Sequence, residues 1–199
     1  MIIAQTNGYA LRQAEPEDLP AIDAITVACY AGIHASYVAA IGEACYEAVR
    51  HQPELSWDER KKAQNRDLFA EHPEWVWVLE GEEEPVGFVS FRLFPEKQMG
   101  LLLNSGVLPQ AAGRGLGKFM YRQVLRYFRE KAIRFAFVDT GLDEPHAAAR
   151  RAYEAVGFDR QFRWVEYWQD LEAANPGSQT QFTDTIGPED NPTPEGDRS

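Results

Sequence analysis

Cysteine is scarce in this chain, with only Cys29 and Cys45 among 199 residues. Two thiols are too few for a disulfide framework, and neither Cys-x-x-Cys nor His-x-x-x-His spacing occurs to hold a metal. Each cysteine continues an apolar helical face instead, Cys29 with Leu19, Ile22 and Ile25, and Cys45 near Ile41 and Val49. Basic charge is also short: 20 Lys and Arg against 31 Asp and Glu give a net charge of −11. A negative field repels phosphate backbones, which argues against nucleic acid as a partner; it serves solubility first and attraction of a cationic or amine ligand second. No run approaches the roughly 18 apolar residues of a spanning helix, and residues 1–9 lack a basic region followed by an apolar stretch. The expectation is a cytoplasmic protein with no membrane partner.

What remains is ordinary for a globular domain, with 44% apolar and 26% charged residues. Hydrophobic periodicity predicts a strand over 9–14, helices over 16–30 and 36–51, and a third helix from the Ser56-Trp57-Asp58-Glu59 capping box to about Glu71. Strands follow over 75–80, 86–93 and 99–107, then a helix, a strand over 133–140, a second helix, and a final strand pair over 158–162 and 164–170. Residues 172–199 hold Pro176, Pro188, Pro192 and Pro194 and carry −5 of the net charge, leaving −6 for the rest. They are expected to be an acidic, disordered tail behind a single domain over 1–171.

The segment Val107-Leu108-Pro109-Gln110-Ala111-Ala112-Gly113-Arg114-Gly115-Leu116-Gly117-Lys118 lies between a strand and an amphipathic helix. The first N–H groups of a helix lack intrahelical partners and sit at the positive end of its dipole, so this position favours an anion. Gly113, Gly115 and Gly117 can take positive φ and let a pyrophosphate approach, while Arg114 and Lys118 offer charge. A magnesium-binding P-loop is excluded by Ala112 and Phe119, and the Gly-x-Gly-x-Gly spacing is not that of a dinucleotide fingerprint. A glycine-rich strand-to-helix turn without a ligand has the same local sequence, so a second signal is needed.

That signal is the later helix. Pro145 suits its first turn, Gly157 the residue after its last, and Ala149, Ala152, Tyr153 and Val156 share its inner face. The pair formed by Val107-x-Pro109-(x)3-Gly113-Arg114-Gly115-Leu116-Gly117 and Ala149-Arg150-Arg151-Ala152-Tyr153-Glu154-Ala155-Val156-Gly157-Phe158 resembles the GCN5-related N-acetyltransferase (GNAT) family. The likeness extends over roughly residues 9–171 in element order, with the diagnostic motifs in 105–158. Two positions depart from the family pattern: Ala112 stands where Gln or Arg is usual, and His146 where many members carry Asn.

The resemblance implies an α/β fold, a central, mostly antiparallel mixed sheet of about seven strands with flanking helices, splayed at the cofactor site. It implies N-acetyl transfer from acetyl-CoA to a primary amine, small or on a protein, by direct attack, with no metal, in a monomer or homodimer. Cofactor contacts would come from Val107, Leu108, Ala112, Gly113, Arg114, Gly115, Leu116, Gly117, Lys118, His146, Ala149 and Tyr153. Tyr153 would serve the departing thiolate as acid, and the Val107 N–H would polarise the thioester carbonyl. Asn104 and Ser105 could order a water. Gly106 reads either as a close approach or as a turn residue. The general base stays open among Asp139, Asp143, Glu43 and Glu47, each of which also suits a capping or solvated role. A CoA-binding sensor without efficient chemistry is the alternative function.

Overall fold

The chain reverses at once. Asn7 and Gly8, with φ of 43° and 84°, make the two-residue turn that suits a right-twisted hairpin. They join β1 (Ile2–Thr6) to β2 (Tyr9–Gln13), with Thr6 opposite Tyr9. The first of these strands was not expected, although Asn-Gly between strand-like runs is its sequence signal. In this computed structural model residues 1–48, 54–82 and 84–171 are described. The expected helix end at 49–51 and the acidic tail over 172–199 lie outside the described residues.

One helix replaces the two expected after β2. α1 (Leu19–Ile41) runs through Gly32 without a break and stops at Gly42, whose φ of 82° suits a helix terminator. An interior glycine costs only about 1 kcal/mol, less than the continuous packing of α1 on its neighbours returns. With its leading turn this helix is long and apolar enough to cross a membrane, at a mean hydropathy of 1.5; its Ile22 and Ile25 are fully buried in the protein's own core. α2 (Glu43–Ala48) and α3 (Trp57–Glu71) follow. At the start of α1, Arg12 holds Asp18 with two hydrogen bonds of 2.7 and 2.9 Å. Burial raises the Asp18 carboxyl, but these bonds outweigh it and hold the group below its ordinary range.

β3 (Val76–Glu80), β4 (Pro85–Phe94), β5 (Met99–Val107) and β6 (Phe135–Phe137) complete a six-stranded sheet in sequence order. All neighbours are antiparallel except β5 and β6, which are parallel. The parallel pair therefore lies at the edge of the sheet rather than near its centre. The sheet has six strands, not seven: β1 is gained, and the pair expected over 158–170 is absent because that stretch pairs with no neighbouring backbone.

Alternation along the strands sorts the core into two layers. Val76, Val78 and Phe88 join Ile22, Ile25 and Leu68 on the α1/α3 side. Trp77, Leu79, Val89 and Phe91 face the other side, against Met120, Val124 and Phe128 of α4 (Leu116–Glu130) and Tyr153 of α5 (Ala147–Ala155). Each large side chain so buried contributes about 1.5–3 kcal/mol before entropy is counted. Residues Met1–Trp168 form one compact unit.

Gly106 marks where α1 crosses β5. A Cβ there would stand 2.8 Å from Cys29 Sγ and 3.0 Å from Ile25 Cγ2, so the close approach is by a helix, not a ligand. Gly106→Ala is expected to cost about 1–3 kcal/mol by overpacking, measured by urea unfolding, and Cys29→Ala should restore part of that loss. Unchanged stability of the single variant would contradict this reading of the contact.

Candidate active site

β5 is paired along most of its length with β4, from Phe94↔Met99 to Gly87↔Val107. On its other side β6 reaches only Met99, Gly100 and Leu101. Among the described residues, no strand lies beside residues 102–107 of β5 on that side. Val107 then leads through Leu108 and a single 3-10 turn, Pro109–Ala111, into the glycine segment and α4.

The glycine segment has the geometry of an anion cradle. Gly113 and Gly115 take positive φ, 76° and 78°, whereas Gly117 does not. Gly117 instead sits within the first turn of α4, where an added Cβ would meet nothing within 4 Å. Gly115 is the residue before α4 and brings no side-chain cap. The N–H groups of Leu116, Gly117 and Lys118 therefore have no intrahelical acceptor, while Phe119 N–H donates to the Gly115 carbonyl at 3.0 Å. Leu116 turns its side chain into the core, so only its backbone can serve a ligand. Ala112 is exposed and its N–H is taken by the Pro109 carbonyl at 3.1 Å. Lys118 is exposed at the mouth. Arg114 is exposed too and donates to Tyr9 Oη at 2.6 Å.

Adjacent residues of β5 point to opposite layers, and Asn104 and Ser105 use both. Ser105 Oγ lies 2.8 Å from Tyr121 Oη on α4. The ring of Tyr121 lies 4.9 Å from that of Tyr153 on α5, which places the Tyr153 phenol beside the Ser105–Tyr121 pair. Burial pushes Tyr153 far above the ordinary phenol range, and the neighbouring Tyr121 adds to the rise. Burial raises Tyr121 as well. Both stay protonated at any ordinary pH, which makes them donors rather than bases. Tyr121 was not among the residues expected at the site; it lies on the buried face of α4, one turn before Leu125.

Asn104 faces the α1/α3 layer and is fully engaged. Its Nδ2 donates to Asn65 Oδ1 at 2.9 Å, and its Oδ1 accepts from Lys61 Nζ at 3.0 Å and Tyr30 Oη at 3.3 Å. Its backbone N–H donates to Ser90 Oγ at 3.0 Å. The Tyr30 hydroxyl also accepts from the Ser105 N–H at 3.3 Å, and burial raises its phenol. Sequence reading missed Tyr30, Lys61 and Asn65 because they reach β5 from helices far away in the chain. Cys29 Sγ donates to the Val107 carbonyl at 3.4 Å, and burial raises its thiol, so it is a packing group and not a nucleophile.

The candidate bases are differently placed. Asp143 Oδ1 lies 2.5 Å from His146 Nδ1. Burial raises its carboxyl, but the polar groups beside it, His146 foremost, outweigh that and hold it below the ordinary range, a poor setting for a base near neutral pH. Glu47 accepts from Arg60 at 2.8 Å, while Glu43 and Asp139 are exposed. His146 is half-buried and edge-on to Tyr37 of α1, with centroids 6.2 Å apart. Ala149 is partly buried against the core of the α4/α5 layer.

Comparison with known proteins agrees with this geometry. The model of the acetyltransferase (GNAT) family matches residues 42–158. Mycothiol acetyltransferase of Streptomyces griseus is 31% identical over 117 residues, which cover 48% of this chain and 38% of that protein. The chain thus spans well under half the length of this curated relative. Among solved structures, a GNAT-family acetyltransferase of Desulfovibrio desulfuricans superposes with a TM-score of 0.57 at 19% identity, covering 77% of this chain and 87% of the other. A GNAT acetyltransferase of Brucella melitensis, solved in complex with acetyl-CoA, superposes with a TM-score of 0.52 at 19% identity, covering 82% and 90%. At such identities the structural likeness concerns the fold. With the family model matching more than half of the chain, from the end of α1 through α5, the protein belongs to the GNAT acetyltransferase family.

Proposed function

We propose that this protein transfers an acetyl group from acetyl-CoA to the primary amine of an acceptor, by direct attack of the amine on the thioester carbonyl. The observation that carries the reading is the cluster of Ser105, Tyr121 and Tyr153 beside the open half of β5, the first two joined by a hydrogen bond and the second two by ring contact, a short chain distance from the uncapped N-terminus of α4. Acetyl-CoA supplies an activated acyl group and a pyrophosphate anion. The residues present fit both: the N–H groups of 116–118 and the open space at Gly113 and Gly117 suit the anion, and the unpaired run 102–107 gives room for an acyl chain beside β5.

In the reaction a nitrogen–carbon bond forms, the carbon–sulfur bond breaks, and the amine sheds a proton as the sulfur takes on negative charge. The Val107 N–H is the proposed donor to the carbonyl oxygen as it becomes an oxyanion. Tyr153 donates a hydrogen bond to the departing sulfur. An ordinary thiol has a pKa of about 8.5, far below a phenol raised by burial, so Tyr153 shares its proton with the thiolate more than it gives it up. Tyr121, itself bonded to Ser105, packs against that ring and sets its position. Asn104, with its polar atoms committed to Asn65, Lys61, Tyr30 and Ser90, fixes the position of β5 rather than ordering a water.

The engagement of Asp143 with His146 and of Glu47 with Arg60 leaves the base unassigned and sustains the alternative of a CoA-binding sensor. Two measurements separate the readings. Tyr153→Phe should lower kcat by roughly 100-fold or more, the usual share of a fixed hydrogen-bond donor to developing charge, with acetyl-CoA affinity retained, and Tyr121→Phe should lower it less. Absence of turnover in the wild type across a broad set of amines would support the sensor.

Binding is tested separately by thermal unfolding. Acetyl-CoA at about 100 times its Kd should stabilise the native state by about 2.7 kcal/mol. Gly117→Leu, whose side chain enters open space and spares the fold, should abolish that shift while leaving the unliganded melting temperature nearly unchanged. An undiminished shift in the variant would remove the cradle from the account.

A further inference from the structure

The turn that leads into α5 carries a carboxylate–imidazole pair that the reaction described above leaves unused. Asp143 Oδ1 lies 2.5 Å from His146 Nδ1, and the two side chains are 24% and 14% exposed. The backbone around them is clamped, since Arg150 Nη1 donates to the carbonyls of Gly141 and Asp143 at 2.6 and 2.8 Å. Gly141 lies close against the pair: a Cβ there would stand 2.2 Å from Asp143 Oδ1 and 2.6 Å from His146 Nδ1. Asp143, held below the ordinary carboxylate range, is ionised near neutral pH and accepts the Nδ1 proton. In the neutral imidazole this fixes the tautomer and leaves the lone pair on Nε2. Among the described residues the ring's hydrogen bond is this one at Nδ1.

Helix geometry sets where that ring stands. His146 precedes α5 and already has helical φ and ψ, −86° and −5°. Tyr153 follows it by two turns, so the two share a face, about 10 Å apart along the axis. Ala149, between them, brings only a methyl and rests against the core. A nitrogen and a sulfur attached to one carbonyl carbon lie about 3 Å apart, and a hydrogen bond of about 3 Å on either side spans about 9 Å. The two side chains are therefore spaced to flank a reacting thioester. The imidazole also meets the edge of Tyr37 on α1 at 6.2 Å, whereas the anion cradle belongs to α4. The other charged groups about it are Arg150 of α5, turned onto the two carbonyls, and the exposed Glu144 of its own turn.

We infer that His146, oriented by Asp143, is the general base that takes the proton from the acceptor amine. The inference rests on the acetyl-transfer reading and fills the role that the engaged carboxylates leave open. An alkylamine with a pKa near that of lysine, about 10.4, arrives protonated. His146 Nε2 takes one proton from the ammonium and passes it to water. The freed nitrogen lone pair forms the bond to the carbonyl carbon, the carbon–sulfur bond breaks with its electron pair on sulfur, and a second nitrogen proton moves to the same imidazole. That proton then leaves through water to the thiolate. Asp143 is the positioning residue, holding the ring and balancing the charge it gains.

The test measures kcat near neutral pH with acetyl-CoA and primary amines of falling basicity: butylamine, ethanolamine, glycinamide and trifluoroethylamine. His146→Gln should lower kcat roughly 100-fold or more with butylamine and progressively less along the series, because an amine already neutral in water needs no proton removed before attack. Its stabilisation by acetyl-CoA should match that of the wild type. Nitrogen NMR of the unliganded protein should show the neutral His146 ring protonated at Nδ1, and Asp143→Asn should lose that preference. The role is overturned by an equal loss along the series or by an unchanged kcat. It is overturned as well by a ring protonated at Nε2 alone, or by a lost acetyl-CoA shift, since the imidazole then holds the cofactor. A wild type that acetylates none of the four amines would overturn the acetyl-transfer reading itself, and the base with it.

Discussion

The structure turns on the unequal pairing of one strand. β5 is hydrogen-bonded to β4 almost from end to end but to β6 over three residues only. Backbone polar groups need partners, and the free run 102–107 therefore lies where helices and a ligand can meet it. Tyr30 of α1 reaches the Ser105 N–H, Lys61 and Asn65 of α3 reach Asn104, and Tyr121 of α4 reaches the Ser105 hydroxyl. The same opening that admits a substrate thus draws both helical layers onto one pair of residues.

α4 serves the fold and the site with different parts of itself. Its buried face, from Leu116 through Met120, Tyr121, Val124 and Leu125 to Phe128, anchors it on the sheet. Its first turn carries no side-chain cap, and the unsatisfied N–H groups there face open space at Gly117. A helix so firmly packed keeps those donors fixed, and fixed donors can hold an anion without first being ordered. Tyr153 depends on the same anchor, since its ring rests against Tyr121.

Much of this was legible in the sequence, for identifiable reasons. The 99–107 strand and the 57–71 helix were bounded correctly, the helix from its Ser-x-x-Glu start signal, although the Ser56 hydroxyl donates to Asp58 and forms no capping bond to the backbone. The glycine cradle came from short-range spacing, which a sequence displays directly, and Tyr153 from the resemblance to a known family; on spacing alone it reads as a core residue of α5. Helix continuity across Gly32 did not, because tertiary packing overrides a local penalty of about 1 kcal/mol. The strand pair over 158–170 has the right composition, but a strand exists only with a partner, and a single chain's sequence does not say whose edge that is. Tyr30, Lys61 and Asn65 were invisible for a related reason, since contacts across 39 to 75 residues leave no periodic trace. Gly106 was left open between a bulge or close approach of a ligand and a turn residue, and the approaching groups proved to be Cys29 and Ile25 of α1.

The structure of the complex with coenzyme A tests the account most directly. The account predicts the pyrophosphate against the N–H groups of residues 116–118, and the sulfur beside β5 within hydrogen-bond distance of the Tyr153 hydroxyl. A pyrophosphate bound away from the start of α4, or a sulfur remote from Tyr153, would contradict it.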